Sequence, residues 1–179
     1  MKLVILDRDG VINQDSADFI KSADEWIPID GSLEAIAQLN QAGYQVVVVS
    51  NQSGIARGLF TLEDLHDMHN KMDSLLSPLG GRVDAVLFCP HGPDDGCPCR
   101  KPAPGMLLQV ADRLGIDLRT TPFVGDSHVD IQAATLAGAQ PKLVRTGKGE
   151  DTLRTLDPLP QGVEVFANLA EFVDAHLQE

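Results

Sequence analysis

The stretch KLVILDRDG, residues 2–10, runs from apolar, strand-favouring side chains straight into two aspartates, two apart, and then a glycine. The apolar part has the composition of a strand buried on both faces, and Gly10 permits the sharp turn that must follow. Asp7 and Asp9 therefore stand at the carboxyl end of a strand. In an open α/β sheet, that edge is where ligands bind.

Similar apolar runs at 45–50, 84–88, 121–125 and 141–144 extend the pattern and are read as buried parallel strands, with a last strand near 163–166. Helical patterns lie between them. One covers 32–42, and a second covers 62–76 after a Thr61/Asp64 capping signal, with Leu62, Leu65, Met68, Met72 and Leu75 as its core-facing stripe. A third starts with Pro104 as its first helical residue and ends near Leu114, a fourth runs from about Val129 to Ala137, and the last leads from the Asn168/Glu171 signal to about Leu177. This alternation predicts a doubly wound parallel sheet with helices on both faces. At 179 residues with 43% apolar side chains, a single domain spanning 1–179 is expected. No long insertion separates the first two strand ends, so no large cap domain is expected; residues 11–29 and the cysteine loop shape the entrance.

A net charge of −12 argues against a general nucleic-acid binder. No apolar run approaches the roughly 20 residues that cross a bilayer, and the N-terminus reaches charge too soon for a signal-peptide core. A cytoplasmic monomer with no membrane or nucleic-acid partner is the expectation.

The remaining strand ends supply company for the acid pair. SNQSG places Ser50 and Asn51 beside it, GDSHVD adds Asp126 with Asp130 one helical turn later, and the segment after the third strand brings Lys101. An isolated DxDG is more often a plain turn, but four neighbouring strand ends carrying acids, a hydroxyl and a cation describe phosphoryl transfer through an aspartyl phosphate. Asp7 is the candidate nucleophile, and Asp9 the acid that protonates the leaving alkoxide and then the base that activates water. Asp126, Asp7 and the Asp9 carbonyl are hard oxygen ligands suited to Mg²⁺, with Asp130 behind them. Ser50 and the Asn51 amide would bind phosphoryl oxygens, Lys101 would compensate charge and orient Asp7, and Arg100 would grip a second anionic group.

The 3 cysteines all fall in CPHGPDDGCPC, residues 89–99. Cys89, His91, Cys97 and Cys99 form a Cys₃His set whose soft ligands suit Zn²⁺, and such a closed shell makes the metal structural, within a small zinc-binding loop. His66 and His69 are read as solvated or packing residues, and His128 is left without a role.

Asp7-x-Asp9-Gly10, Ser50-Asn51, Lys101 and Gly125-Asp126-x-x-x-Asp130 resemble, in order and placement, the motifs of the haloacid-dehalogenase-type (HAD) phosphohydrolases. LDRDGVIN, SNQSGIARGLF, CPH…CPCRKP and PGMLL are more narrowly similar to the D-glycero-D-manno-heptose 1,7-bisphosphate 7-phosphatases, over residues 3 to about 147. The resemblance implies a HAD-like fold and removal of the 7-phosphate from a heptose bisphosphate, giving heptose 1-phosphate for lipopolysaccharide-core or surface-glycan precursors. It gives Asp7, Asp9, Ser50, Lys101, Arg100 and Asp126 the same roles as the chemistry, and it implies substrate contacts from the Asp15–Asp18 loop and from Asn51, Gln52 and Ser53. Two departures stand out: DSAD lacks the aromatic residue that often ends that loop, and Ser127 replaces a lysine often found near the phosphate. Histidinol-phosphate phosphatases are the nearest alternative, ranked second because of NQSGIARG and the Arg100-Lys101 pair. A phospho-receiver module, or a zinc-organised interaction protein with a dead site, are the alternatives of other classes.

Overall fold

The structure is a computed structural model that describes residues 1–178. Its strands are β1 (Leu3–Leu6), β2 (Gln45–Asn51), β3 (Ala85–Cys89), β4 (Pro122–Gly125), β5 (Gln140–Val144) and β6 (Glu164–Phe166). They form one sheet in the order β3-β2-β1-β4-β5-β6, and every pairing is parallel. The helices are α1 (Ser32–Gln41), α2 (Leu62–Leu76), α3 (Gly105–Leu114), α4 (His128–Ala137), α5 (Gly149–Thr155) and α6 (Leu169–His176).

Strand periodicity builds two cores. Val4 and Leu6 of β1, with Val46 and Val48 of β2, face one side, where α1, α2 and α6 bring Ile36, Leu65 and Phe172. Leu3, Ile5, Val47 and Val49 face the other side, against Met106 and Val110 of α3 and Ala133 and Ala134 of α4. Each fully buried Val, Leu or Ile contributes roughly 1.5–3 kcal/mol relative to exposure. Both faces of the central strands are covered, so the expected doubly wound arrangement is the observed one. Among the described residues, no helix is long and apolar enough to cross a membrane.

Some expectations need correction. β3 is not a strand buried throughout: as an edge of the sheet it leaves Ala85 exposed, because it pairs on one side alone. On α2 the capping box of Thr61 and Asp64 forms as expected, but Leu62 and Leu75 are exposed. The buried stripe is Leu65, Met68, Met72 and Leu76, because the face drifts by four residues, not three, at the end of the helix. Pro104 is the N-cap of α3 and not its first residue. α5 was not anticipated, since GEDTLRT buries only Gly149 and Thr152 and carries almost no apolar periodicity.

β1 has β2 on one side and β4 on the other, so the direction in which successive strands are added to the sheet reverses at β1 and a crevice opens beyond the ends of β1 and β4. Gly125, the last residue of β4, lets the first turn of α4 close onto that edge: a Cβ there would lie 2.3 Å from Asp130 Cβ. Gly125→Ala is therefore expected to cost about 1–3 kcal/mol through overpacking, read as a lower urea midpoint at unchanged m-value. A midpoint equal to that of the unsubstituted protein would show that the turn has room to spare.

Candidate active site

A cavity of about 600 Å³ opens at this switch point and is lined by Asp7, Asp9, Ser50, Arg100, Lys101 and Asp126, among others. Asp7, Asp9, Ser50 and Asp126 converge because they lie at or just beyond the ends of neighbouring parallel strands, and the loop after β3 brings in Arg100 and Lys101. Lys101 is buried, and its Nζ lies 3.0 Å from Asp7 Oδ1 and 2.7 Å from Asp130 Oδ1. The same ammonium donates to the Val49 carbonyl at 3.0 Å. Its backbone is held equally firmly, since the Asn51 side chain accepts from Lys101 N–H and donates to Lys101 O, both at 3.0 Å.

One lysine faces more negative charge than it can balance. Asp7, Asp126 and Asp130 can each bring an oxygen within 4.8 Å of the others, and all are buried. Burial, aided by repulsion from Asp130 and Asp9 and only partly opposed by Lys101, pushes the Asp7 carboxyl up to about 7. Burial and repulsion from Asp130 and Asp7 raise Asp126 to about 8. Buried carboxylates so disposed fit a divalent cation. Burial disfavours the charged form of Lys101, yet Asp130 and Asp7 outweigh it and raise its pKa. Asp130 meanwhile accepts from Ser127 N–H at 3.0 Å, so it joins the N-terminus of α4 to the site lysine.

Asp9 has different surroundings, organised by Arg8, to which the sequence reading gave no role. Arg8 is fully buried, donating from Nε to Asp9 Oδ1 at 3.0 Å and from Nη2 to Asp9 Oδ2 at 3.1 Å. Asn13 Nδ2 and Gln52 Nε2 also donate to Asp9, at 2.9 and 3.0 Å. Burial alone would raise the Asp9 pKa, but the Arg8 charge and these hydrogen bonds together hold it below the usual carboxylate value. Gln52 Nε2 donates as well to Ser50 Oγ at 2.8 Å, which ties the two strand ends together from below. His69, on α2, packs 3.5 Å from Arg8 Nη1; burial and that positive charge bring its pKa down to about 4 and keep the ring neutral.

The residues expected to touch substrate divide. Asp15, Asn51, Gln52, Ser53 and Arg100 line the cavity. Asp18 is exposed and is not among the lining residues, because the loop turns outward there and Lys21 Nζ caps its carbonyl at 2.9 Å. The next residue, Phe19, does line the cavity, so an aromatic ring reaches it one position beyond DSAD. Ser127 is engaged with Asp130, while Lys148 enters the cavity from the loop after β5. Its N–H donates to Asp126 Oδ2 at 2.7 Å, and its Nζ lies 3.4 Å from Asp15. A cation thus reaches the cavity from beyond the end of β5, a strand end at which the sequence pattern singles out no residue.

The cysteine loop is compact. Cys89 Sγ lies 3.5 Å from His91 Nδ1, 3.6 Å from Cys97 Sγ and 3.3 Å from Cys99 Sγ, and Cys99 Sγ lies 3.3 Å from His91 Nδ1. A tetrahedral zinc with Zn–S near 2.3 Å sets ligand sulfurs about 3.8 Å apart, so the set fits that ion with little adjustment.

Comparison with known proteins decides the family. Residues 98–172 match the family model described as "HAD-hyrolase-like". The D-glycero-beta-D-manno-heptose-1,7-bisphosphate 7-phosphatase of Bordetella bronchiseptica is 55% identical over 179 residues, covering 100% of this chain and 99% of that one. The chain belongs to the heptose-bisphosphate phosphatase family. The Pseudomonas aeruginosa member is also 55% identical, over 98% of each chain. The crystal structure of the B. bronchiseptica phosphatase, complexed with magnesium and phosphate, superimposes with a TM-score of 0.97 over 99% of both chains. In this member of the heptose-bisphosphate phosphatases, Asp7, Lys101 and Asp126 converge at one cavity, which Lys148 also lines, and Arg8 lies behind Asp9.

Arg8 has a consequence that acid titration reads out. A carboxylate whose folded pKa is depressed contributes stability that is full above its unfolded value near 4 and is lost as pH falls through the folded value. Arg8→Met removes the depressing charge and leaves only the Asn13 and Gln52 hydrogen bonds to oppose burial, so the Asp9 pKa rises. The variant should be less stable by about 3–5 kcal/mol at pH 7, with the deficit narrowing toward pH 4 as Asp9 takes up a proton. Urea unfolding at both pH values checks this; an equal deficit at each would mean that Arg8 acts through packing alone.

Proposed function

We propose that this chain is a Mg²⁺-dependent phosphoric monoester hydrolase that removes the 7-phosphate of D-glycero-D-manno-heptose 1,7-bisphosphate and releases heptose 1-phosphate. The observation carrying this reading is the Asp7 carboxylate, held by buried Lys101 beside Asp126, at the floor of a cavity shared with Asp9. The full-length similarity to relatives named for that reaction supports the substrate.

Asp7 attacks phosphorus, the bond from phosphorus to the C7 oxygen breaks, and protonated Asp9 gives its proton to the departing alkoxide. Asp9, then ionised, takes a proton from water, whose oxygen attacks phosphorus and returns Asp7 as a carboxylate with release of phosphate. Asp9 begins as an ion held by Arg8, Asn13 and Gln52, and the dianionic substrate supplies the negative field that raises its proton affinity. Ser50, linked to Asp9 through Gln52, donates to the phosphoryl oxygens, and Lys101 balances their charge while keeping Asp7 in line. Asp7, Asp126 and the Asp9 carbonyl would hold Mg²⁺, which supplies screening of carboxylate–phosphate repulsion. Asp15, Ser53, Asn51 and Arg100 hold the sugar phosphate, and the single domain works without a large cap.

Cys89, His91, Cys97 and Cys99 would hold structural Zn²⁺. Arg100 directly follows Cys99, and its guanidinium Nη1 donates to the His91 carbonyl at 3.2 Å, so a metal-bound loop would hold the arginine at its backbone and at its tip.

Steady-state rates with Mg²⁺ on heptose 1,7-bisphosphate and on histidinol phosphate test the substrate: a higher kcat/KM on histidinol phosphate overturns it. Asp7→Asn should lower kcat on the order of 10³-fold or more, and retained turnover would remove Asp7 as the nucleophile. Cys99→Ser, with zinc loss verified by metal analysis, should lower kcat/KM about 10-fold while Mg²⁺ binding stays nearly intact; unchanged kinetics would separate the loop from substrate positioning.

A further inference from the structure

The loop that follows β2 points an arginine with no acidic partner into the active cavity. Its backbone is tied down: Arg57 N–H donates to Ser53 O at 3.1 Å, Gly58 N–H to Ile55 O at 3.0 Å, and Ala56 N–H to Pro90 O at 3.2 Å. Gly54 makes room for this turn, since a Cβ there would lie 2.1 Å from a ring carbon of Phe60. The Arg57 guanidinium sits over the ring of Phe19, 5.7 Å from its centroid. Both side chains line the cavity that holds Asp7.

Phe19 is itself unusual. It is the only non-glycine residue with positive φ, at 65°, among the described residues. An aromatic side chain rarely adopts that conformation, and here Lys21 Nζ holds the turn by donating to the carbonyls of Asp18 at 2.9 Å and Phe19 at 3.4 Å.

Charge pairing separates the cations of the cavity into two sets. Lys101 is committed to Asp7 and Asp130, and Lys148 to Asp15. Arg57 and Arg100 line the same cavity with no carboxylate within ion-pair distance among the described residues, although the chain carries 26 acidic side chains. An arginine stacked on an aromatic ring uses its face for that contact and keeps its in-plane N–H donors for an anion. Those donors match a phosphate bidentately.

We infer that Arg57, seated on Phe19, is a specificity-determining residue that binds the phosphate the enzyme leaves on its substrate. The inference rests on the bisphosphate reading above. A substrate with two phosphates brings two dianions into an acidic protein, and the paired lysines serve the end where the bond breaks. Arg57 serves the other end with Arg100. The cysteine loop adjoins both arginines: its Pro90 carbonyl accepts from Ala56 N–H, next to Arg57, and its His91 carbonyl accepts from Arg100 Nη1.

Arg57→Gln and Phe19→Leu, compared with the unsubstituted enzyme, test this on heptose 1,7-bisphosphate and on p-nitrophenyl phosphate, which carries a single phosphate. Arg57→Gln should raise KM for the bisphosphate roughly 10- to 100-fold, with kcat and the p-nitrophenyl phosphate kinetics nearly unchanged. Phe19→Leu should shift the same KM in the same direction by less. The inference is overturned if Arg57→Gln leaves the bisphosphate KM within about twofold, or lowers kcat/KM equally on both substrates. If the unsubstituted enzyme shows no preference for the bisphosphate over p-nitrophenyl phosphate, the substrate reading fails first, and the role of Arg57 with it.

Discussion

Lys101 stands between Asp7 and Asp130, out of water and above the ring of Phe123. Taking such an ammonium and its carboxylates out of solvent costs several kcal/mol per ion, which only close pairing and further hydrogen bonds offset. The surrounding structure is arranged to meet that requirement. Val49 gives its carbonyl, Asn51 clasps the lysine backbone, and Gly125 lets Asp130 approach. With Asp126 adjoining, the cluster keeps an excess of negative charge that a divalent cation complements. The placement of Asp7 and Asp130 therefore depends on one buried cation.

Two hydrogen-bonded systems meet at this centre, joined where Arg8 N–H donates to Asp7 Oδ1 at 2.7 Å. One links Lys101, Asp7, Asp130 and Ser127; the other links Asp9, Arg8, Asn13, Gln52 and Ser50. Their opposite effects on the carboxyls follow. Asp7 and Asp126 are pushed up by burial and mutual repulsion, whereas Asp9 is held down by a guanidinium that nothing else neutralises. Neighbouring aspartates can thus take different tasks because their environments separate their proton affinities.

What could be read in advance follows from how each residue is placed. Asp7, Ser50 and Asp126 come at or next to the ends of parallel strands, where register alone decides the neighbours, so alternation of β and α patterns was enough to bring them together. Arg8 escaped because its meaning depends on α2, whose Met68 and His69 lie some 60 residues along the chain. Lys148 escaped because it precedes a helix of low apolar content, and Asp18 was misplaced because a loop's outward turn leaves no periodic trace. Edge position, which sets the exposure of β3, is a property of strand order and not of composition. The Cys₃His set was legible from spacing, but the way it adjoins two separate arginines depends on carbonyl directions that no spacing records.

The strand order also determines when the centre can exist. β1 pairs with β4 through Ile5–Phe123 and Leu6–Val124 alone, and that short seam joins an N-terminal half bearing Asp7, Ser50 and Lys101 to a C-terminal half bearing Asp126 and Asp130. A nascent chain that ends before residue 122 therefore carries the proposed nucleophile and its lysine, but neither of the acids that complete the cluster. The acids that complete the cluster therefore arrive only with β4 and the start of α4.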